Sequence, residues 1–509
     1  MHPSLHARLR PHAPAIVQAD GTVTATFADL ERRSNQGAQL FRRLGLEAGA
    51  GIALLLENHP RYLEVCWAAQ RSGLVYTPIS TQLQPDEIAH ILTDCGARLL
   101  VTSAAMLAAG KIPGAIAVPH RFAVDGPADG FASWPDALAA CPAEPIGDEA
   151  AGADMPYTSG TTGRPKGVRP AAIGGPIDAA TPSLFMARDR YGFGTDTRFL
   201  CPVPLYHAAP LRNCMRAQSW GGAVVLQAKF APEPALAAIE RCRITHSLWV
   251  PTLFVRLLGL ADEVRAAYDL STHRVAIHTA APCPPDVKRR MIAWWGPILH
   301  EYYGGSEGIG MTSIDSRDWL ARPGSVGRAE VGRIVILDEA GAELPPGAVG
   351  LVCFADGPAF RYHNDPAKTA AAHPRPGCAT MGDLGYVDAD GFLHLLDRKD
   401  FMIISGGVNI YPQEAENVLL GHHAVVDAAV IGVPDPEFGE TVKAVVQPLD
   451  LTAAGPALAA ELIAYCRARL AHLKCPRSVD FVADLPRQPN GKLLKRLVKD
   501  RYWNRPDAG

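Results

Sequence analysis

Short apolar runs of strand length alternate with longer amphipathic stretches through the first half of the chain. The strand-like runs are residues 51–58, 74–80, 98–103, 197–204 and 221–227. The stretches with apolar side chains at helical spacing are residues 27–45, 61–73, 85–96 and 234–243. Strands separated by helices of roughly 10–15 residues are typical of parallel sheets joined by right-handed crossovers. The pattern therefore predicts an α/β fold built on parallel sheets.

The second half of the chain has a different pattern. Residues 331–354 contain two apolar runs that flank DEAGAELPPG, which predicts an antiparallel hairpin. From residue 401 onward the order is βαββ-like, with a further helix at 457–471. The charged run DRKD at 397–400 separates these regions. Since 509 residues exceed what one hydrophobic core usually supports, the sequence predicts several domains, with one boundary near 398–400.

Composition excludes several classes of protein. The 49 basic and 52 acidic residues give a net charge of −3, so no basic field favours nucleic acid as a partner. No run approaches the roughly 18 apolar residues that a membrane-spanning helix needs. The eleven cysteines include no C-x-x-C pair, and the N-terminal residues lack the apolar core of a signal peptide. We expect a reduced, cytoplasmic protein without a transmembrane segment, and leave a homodimer open.

The segment YTSGTTGRPKGV, residues 157–168, combines glycines, hydroxyl side chains and one lysine. Glycines let backbone N–H groups approach an anion closely, and hydroxyls and a lysine donate to phosphate oxygens. This composition predicts a polyphosphate cradle, or else a polar surface loop. Lys166 does not stand in the G-K-[ST] order of nucleoside triphosphatase P-loops. The candidate phosphate-binding residues are Thr158, Ser159, Gly160, Thr161, Thr162 and Gly163.

Further segments decide between these alternatives. They are PLYHAAP (204–210), YYGGSEG (302–308), MGDLGYVDADG (381–391), DRKDFMIISGGVNIYPQEAE (397–416) and LPRQPNGKLLKR (485–496). Together with the glycine-rich loop and in this order, they resemble the motifs of the adenylate-forming superfamily. That superfamily includes acyl-CoA synthetases, firefly-type luciferases and the adenylation domains of nonribosomal synthetases. The resemblance spans essentially the whole chain and favours the acyl-CoA synthetase branch.

The resemblance implies a fold and a domain order. It implies a large N-terminal domain of several subdomains at 1–397, with parallel-type sheets and a small β-barrel-like portion. A hinge at 398–400, with Asp400 as its hinge residue, would lead to a small, mobile α+β C-terminal domain at 401–509. Gly406 and Gly407 would run close to a narrow channel for the pantetheine arm of CoA, although a glycine pair also suits a turn at a strand end.

The resemblance also implies roles in binding and activating ATP. Lys492 would bridge the substrate carboxylate and the α-phosphate, although a basic tail is also typical of a solvated helix face. Lys166 and the 158–163 loop would hold the leaving pyrophosphate. Glu307 would bind Mg²⁺, a hard cation that prefers oxygen ligands, and Ser306 would donate to phosphate.

The nucleoside part of ATP has its own expected partners. Asp383 and Arg398 would hold the ribose, and Tyr303 would lie against adenine. One departure stands out, because Met381 occupies a position where the family usually has threonine. The departure puts a hydroxyl contact to ATP in doubt.

The acyl pocket is expected to be apolar. Its candidate residues by family position are His207, Trp249, Ala280, Tyr302, Gly304 and Met311. His207 is predicted to position or gate the substrate rather than act as a base, because a carboxylate with a pKa of about 4 is already ionised at neutral pH. A lone histidine near apolar residues is also often purely structural. No lysine or arginine stands among these residues, which argues against a dicarboxylic acid.

The resulting hypothesis is an ATP-dependent carboxylic acid–CoA ligase with ATP, Mg²⁺ and coenzyme A as cofactors. The acid would be a hydrophobic monocarboxylic acid, namely a fatty, aryl or polycyclic one. The alternative is a stand-alone adenylation enzyme that loads an acyl group onto a carrier protein. Luciferase-like oxygen chemistry has no support in the sequence, and a non-catalytic nucleotide-binding protein is expected to have lost Lys492 or Glu307, both of which are present.

Overall fold

The computed structural model describes residues 1–114, 116–158, 165–170, 173–488 and 491–503. The chain divides into two compact units that interleave along the sequence. The first unit consists of Met1–Trp249, Leu260–Ile277 and Ala359–Thr369. The second unit consists of Val250–Gly259, His278–Pro358 and Ala370–Gly509.

A parallel sheet forms near the N-terminus of the first unit. Its strands, in order across the sheet, are Ala132–Ser133, His120–Ala123, Ala97–Thr102, Gly51–Leu55, Val75–Pro78 and Ala153–Asp154. The helices that accompany it are Phe27–Arg43, Tyr62–Arg71, Pro85–Asp94, Ala104–Ala108 and Trp134–Ala139. Ile88, Ile91 and Leu100 are fully buried between helix and sheet. The predicted alternation of helices and parallel strands is confirmed here.

A second sheet of the first unit is also mainly parallel. Its strands, in order, are Val23–Thr26, Pro14–Gln18, Ala223–Leu226, Arg198–Cys201, His246–Trp249 and Val275–His278. Its helices are Pro3–Leu9, Pro182–Tyr191, Ala208–Ser219, Pro232–Arg241 and Asp262–Ala266. Pro14–Gln18 and Val23–Thr26 pair antiparallel, while the strand pairs Pro14–Gln18/Ala223–Leu226 and Ala223–Leu226/Arg198–Cys201 are parallel. The strands predicted at 197–204 and 221–227 are confirmed with shorter bounds.

A small antiparallel sheet completes the first unit. Its strands are Tyr157–Thr158, Lys166–Arg169 and Arg361–Tyr362. The helix Pro366–Ala371 begins just after it. This sheet brings the two ends of the glycine-rich segment together with a stretch of chain about two hundred residues later in the sequence.

The second unit begins with an antiparallel series of strands. In order they are Leu299–Gly304, Met311–Asp315, Ser325–Val331, Leu393–Arg398, Cys378–Val387, Gly350–Ala355 and Arg333–Leu337. The helices that belong with them are Pro251–Leu258, Pro285–Trp295 and Ser316–Ala321. Arg333–Leu337 pairs with Gly350–Ala355 in the antiparallel sense, so the hairpin predicted at 331–354 is confirmed.

The last hundred residues form an α+β arrangement. The strands, in order, are Val408–Ile410, Ile403–Ser405, Gly439–Pro448 and Val425–Asp435, and Ser478–Phe481 pairs parallel to Gly439–Pro448. The helices are Pro412–Leu419, Pro456–Arg467 and Lys495–Trp503. Leu419, Val430 and Leu462 belong to its buried core. The predicted α/β class with an α+β C-terminal portion is confirmed.

The sequence pattern missed one strand in this portion. The βαββ-like order predicted from residue 401 onward has one strand before its first helix, whereas Ile403–Ser405 and Val408–Ile410 form a tight hairpin there. Gly406 and Gly407 connect them with φ angles of 56° and 80°. Both angles lie in the left-handed region that two-residue hairpin turns need and that glycine adopts readily.

Among the residues that the structure describes, no helix is both long and apolar enough to cross a membrane.

Candidate active site

The two ends of the glycine-rich segment pair in an antiparallel ladder. Thr158 lies opposite Lys166, and Tyr157 lies opposite Gly167. Ser159, Gly160, Thr161, Thr162 and Gly163 lie outside the described residues. The ladder therefore fixes where the predicted phosphate loop leaves and re-enters the sheet, with Lys166 at its exit.

Lys166 forms an ion pair that the sequence patterns did not reveal. Its Nζ lies 2.8 Å from Oδ2 of Asp365, and both side chains are partly exposed. The ion pair lowers the pKa of the Asp365 carboxyl, so the carboxylate is charged near neutral pH. The only sequence signal for Asp365 was the Asn-Asp-Pro order at 364–366, which is typical of a helix start.

Two of the predicted pocket residues lie in the first unit. His207 is the residue before helix Ala208–Ser219, and its ring centroid is 4.7 Å from that of Tyr206. Trp249 is fully buried, and its indole N–H donates to Oγ of Ser247 at 2.5 Å. The indole packs edge-on to the Phe230 ring. Trp249 therefore stabilises the first unit, whatever role it has in substrate binding.

The other predicted pocket residues come together in the second unit. Gly304 and Met311 are directly paired on neighbouring strands. The hydroxyl of Thr279 donates to the carbonyl oxygen of Tyr302 at 2.9 Å, which places the adjacent Ala280 beside the same strand end. Ala280 is exposed and has a φ of 78°. A left-handed alanine costs on the order of 1 kcal/mol, so the surrounding structure must hold this backbone in place.

Asp383 is held by two of the residues predicted to act with it. The Tyr303 hydroxyl donates to Oδ2 of Asp383 at 2.6 Å, and Nε of Arg398 lies 2.9 Å from Oδ1. Asp383 and Arg398 are also directly paired on antiparallel strands. Burial, and then Asp383, raises the pKa of Tyr303, so its hydroxyl stays protonated. The Asp383 carboxylate is therefore oriented, and each oxygen retains a further lone pair for a ligand hydroxyl.

Glu307 lies in a turn directly after strand Leu299–Gly304 and is partly buried. A side chain on Gly305 would overlap both the Glu307 carboxylate and the Met381 sulfur. A larger residue at 305 would therefore displace the ends of these two side chains.

Met381 stands where the family resemblance leads one to expect threonine. The neighbouring Thr380 hydroxyl donates to the carbonyl oxygen of Val352 at 2.7 Å and is buried. Nη1 of Arg398 donates to the Met381 carbonyl oxygen at 3.0 Å, which fixes the backbone here. Met381 thus contributes its carbonyl oxygen to the site, and its thioether packs beside Gly305.

Lys492 completes the cluster in the second unit. Burial first, and then Arg398, lower the pKa of Lys492 to about 8, while Asp383 and Glu307 act in the opposite direction. The backbone around it is fixed, because Gln488 N donates to the Lys492 carbonyl oxygen at 2.8 Å. Four residues that are far apart in sequence, at 307, 383, 398 and 492, are thus electrostatically coupled in one place.

The proposed hinge and the glycine pair lie on either side of a short strand. Asp400 is exposed in the 3-10 turn Lys399–Phe401. Gly406 and Gly407 form the hairpin turn described above. Neither position is buried in a core, which is compatible with the roles expected for them.

The residues around Glu307 suit Mg²⁺. Glu307 offers a hard carboxylate oxygen, and Mg²⁺ usually binds through one or two carboxylates together with substrate phosphates. Within the described ranges, the residues with metal-like spacing are instead His422, His423 and Glu461. There, the Ala424 N–H donates to Nδ1 of His422 at 3.3 Å, and Nε2 of His422 lies 3.1 Å from a carboxylate oxygen of Glu461. Both ring nitrogens of His422 thus already have partners within the protein.

Comparisons with known proteins identify the family of this chain. The family model described as "AMP-binding enzyme" matches residues 4–360, and "AMP-binding enzyme C-terminal domain" matches residues 414–492. A feruloyl-CoA synthase from Amycolatopsis sp is 36% identical over 98% of both chains. The fatty acid–[acyl-carrier-protein] ligase ScoC of Streptomyces coeruleorubidus is 32% identical over 98% of this chain and 95% of its own. The solved structure of the amide bond synthetase McbA from Marinactinospora thermotolerans has a TM-score of 0.82, with 30% identity over 98% of this chain and 99% of that one.

Proposed function

Because the chain belongs to the AMP-binding enzyme family and is an AMP-forming acid–thiol ligase of the acyl-CoA ligase branch, we propose that its substrate is a hydrophobic monocarboxylic acid. The acid would react with ATP to give an acyl-adenylate and pyrophosphate. The thiol of CoA would then displace AMP and leave an acyl-CoA thioester.

The observation that carries the proposed site is the cluster around Lys492. Attack of a carboxylate on the α-phosphate brings two anions together, so the protein must supply positive charge and orientation. Lys492 and Arg398 supply that charge next to Asp383 and Glu307. Asp383, held by Tyr303 and Arg398, has lone pairs left to accept hydrogen bonds from the ribose hydroxyls.

Lys166 and Glu307 are the residues we assign to the leaving pyrophosphate. Lys166 stands at the exit of the glycine-rich loop and would bind phosphate oxygens with its free N–H groups. Glu307 would hold Mg²⁺, which, when bound, neutralises charge on the phosphates. The family requires ATP, and CoA is the thiol substrate of this branch.

We assign the second step, formation of the thioester with CoA, to a different arrangement of the C-terminal residues. Asp400 would serve as the hinge between the region up to 397 and the region from 401. The hairpin at Gly406 and Gly407 would then present bare backbone to the pantetheine arm, since glycine allows close approach.

Support for a hydrophobic monocarboxylic acid comes from the predicted pocket. Ala280, Gly304 and Met311 are small or apolar, and the six predicted pocket residues include no lysine or arginine. A second carboxylate would be costly to bury without a cationic partner. The relatives' names include a feruloyl-CoA synthase and a fatty acid ligase, so both aryl and fatty acids belong in the test.

One relative supports a second candidate acceptor. The ScoC ligase is named for transfer to an acyl carrier protein and matches nearly the whole chain. Loading of a carrier protein is therefore the alternative to CoA. Both reactions share the acyl-adenylate and differ only in the thiol.

The cell compartment is a further proposal. All eleven cysteines are free thiols, and ten of them are buried. Free thiols are typical of reducing compartments, so we place the enzyme in the cytoplasm.

The decisive experiment is an AMP-release assay with a panel of fatty, aryl and polycyclic acids. Each acid is offered with CoA or with a phosphopantetheinylated carrier protein. We expect AMP release that requires both an acid from the panel and CoA, with a dicarboxylic acid as a poor substrate. Turnover with the carrier protein alone would establish the alternative acceptor. Strong preference for a dicarboxylic acid would contradict the proposed substrate class.

A further inference from the structure

The segment 363–365 lies against the exit of the glycine-rich loop. Val168 pairs with Tyr362 and Arg169 with Arg361 in the small antiparallel sheet. One residue further along, the N–H of His363 donates to the Gly167 carbonyl oxygen at 2.8 Å. This ladder brings the chain after Tyr362 alongside Lys166, which is how Asp365 comes to face it.

The carboxylate of Asp365 is fixed before it meets Lys166. Its Oδ1 accepts from the Lys368 N–H at 2.8 Å, and its carbonyl oxygen accepts from the Thr369 N–H at 3.0 Å. Asp365 therefore caps the helix Pro366–Ala371 with one oxygen and pairs with Lys166 through the other. Since the cap holds the carboxylate, the ion pair restrains the lysine rather than the aspartate.

The same segment also holds the entrance of the loop. Nδ2 of Asn364 donates to Oδ1 of Asp94 at 3.0 Å, and the Tyr157 hydroxyl donates to Oδ2 of Asp94 at 2.6 Å. A ring nitrogen of His363 lies 2.9 Å from the Asp94 carbonyl oxygen. Burial, and then Asp94, raise the pKa of Tyr157, so the hydroxyl remains a donor. The loop exit thus contacts residues 363–365 directly, and the loop entrance is linked to His363 and Asn364 through Asp94.

We propose that Asp365 is a positioning residue for Lys166, which it holds at the loop exit ready to bind the phosphates of ATP. An ammonium group has three N–H donors, so one bond to Asp365 leaves two for phosphate oxygens. A free lysine side chain loses considerable rotamer entropy when it is fixed, and the ion pair imposes part of that restriction before ATP arrives. The role of Lys166 itself rests on the function proposed above.

The substitution Asp365→Asn separates this role from helix capping. Asparagine caps a helix about as well as aspartate, so the bond to the Lys368 N–H is retained. The charge that attracts Lys166 is removed. A matched control is Asp148→Asn, which removes the carboxylate of another ion pair of the first unit, with Arg42, away from the loop.

The test is a double-mutant cycle on the binding of Mg·ATP, measured by calorimetry without any acid. We expect Asp365→Asn to raise the Kd for ATP about 3- to 10-fold, which corresponds to the rotamer restriction lost on one lysine. In a Lys166→Gln background the same substitution should have almost no further effect, since Asp365 acts through Lys166. Asp148→Asn should leave the Kd unchanged, and thermal melting should show all variants folded.

An unchanged Kd in Asp365→Asn would overturn the proposal, and so would an equally large effect in the Lys166→Gln background. Tighter ATP binding in Asp365→Asn would also overturn it, because Asp365 would then compete with ATP for the lysine. Failure of this proposal can be distinguished from failure of the proposed function. Acid-dependent release of pyrophosphate tests the reaction, whereas the cycle uses nucleotide binding alone.

Discussion

Two lysines proposed for the same half-reaction, Lys166 and Lys492, differ in their charged neighbours. Lys166 is partly exposed and paired with one capped carboxylate, Asp365. Lys492 is influenced by Arg398, Asp383 and Glu307 together, and burial lowers its pKa to about 8. At the first site, the ion pair limits where the ammonium group of Lys166 can lie. At the second site, desolvation disfavours the charged form of Lys492, and the same desolvation strengthens its attraction for approaching anions.

The difference implies that the two lysines contribute unequally. A partly exposed ammonium competes with water for phosphate oxygens, so its loss is partly compensated by solvent. The Lys492 ammonium is strongly desolvated, as its lowered pKa shows, so water replaces it less well. Replacing each lysine in turn tests this inequality.

Replacement of Lys492 should have the largest effect. We expect Lys492→Ala to slow acid-dependent ATP–pyrophosphate exchange about 10²–10³-fold, as for loss of a preorganised donor to developing charge. Lys474→Ala is the matched control, since Lys474 forms an ion pair with Glu414 in the same C-terminal portion. A decrease of less than about tenfold in Lys492→Ala would contradict the role given to the cluster.

Replacement of Lys166 should have a smaller effect. We expect Lys166→Gln to slow the same exchange about 10- to 100-fold, because a hydrogen bond to a charged group contributes roughly 1.5–3 kcal/mol. The ranking of acids by kcat/KM should stay the same, since the loop binds ATP and not the acid. A changed ranking, or a defect as large as that of Lys492→Ala, would remove the contrast between the two lysines.

The pH dependence of kcat/KM for ATP should reflect the lowered pKa of Lys492. Its pKa is lowered from 10.5 to about 8, so the charged form decreases as pH rises through about 8. We expect kcat/KM for ATP to be level below about pH 7 and to fall about tenfold between pH 7 and pH 9. In Lys492→Arg the overall rate should be lower but the alkaline decrease should disappear, because arginine stays charged. A level wild-type profile up to pH 9.5 would contradict the lowered pKa.

The sequence predicted the regular parts of the fold because they depend on local patterns. The alternation of strands and helices before residue 250 and the hairpin at 331–354 follow from hydrophobic periodicity and turn residues. The hairpin around Gly406 and Gly407 was missed because its strands have only three residues each, too few for an alternating pattern. The pair of glycines was the signal that could have revealed it.

The residues of the candidate site that belong to sequence motifs could be predicted. Glu307, Asp383, Arg398 and Lys492 were all named from the sequence, and the structure brings them together. Asp365 was not found, because its contact with Lys166 depends on the pairing of strands that are far apart in the chain. No local pattern encodes such a pairing, and the Asn-Asp-Pro order indicated only a helix start.

The most direct test of the two-lysine account separates the two half-reactions by rapid quench. Acyl-adenylate formation is measured in a single turnover without CoA, and thioester formation is measured from added acyl-adenylate with CoA. We expect Lys492→Ala and Lys166→Gln to slow the first step, with Lys492→Ala the slower, and to form the thioester at the wild-type rate. Thioester formation slowed as strongly as adenylation in either variant would contradict the assignment of both lysines to adenylation.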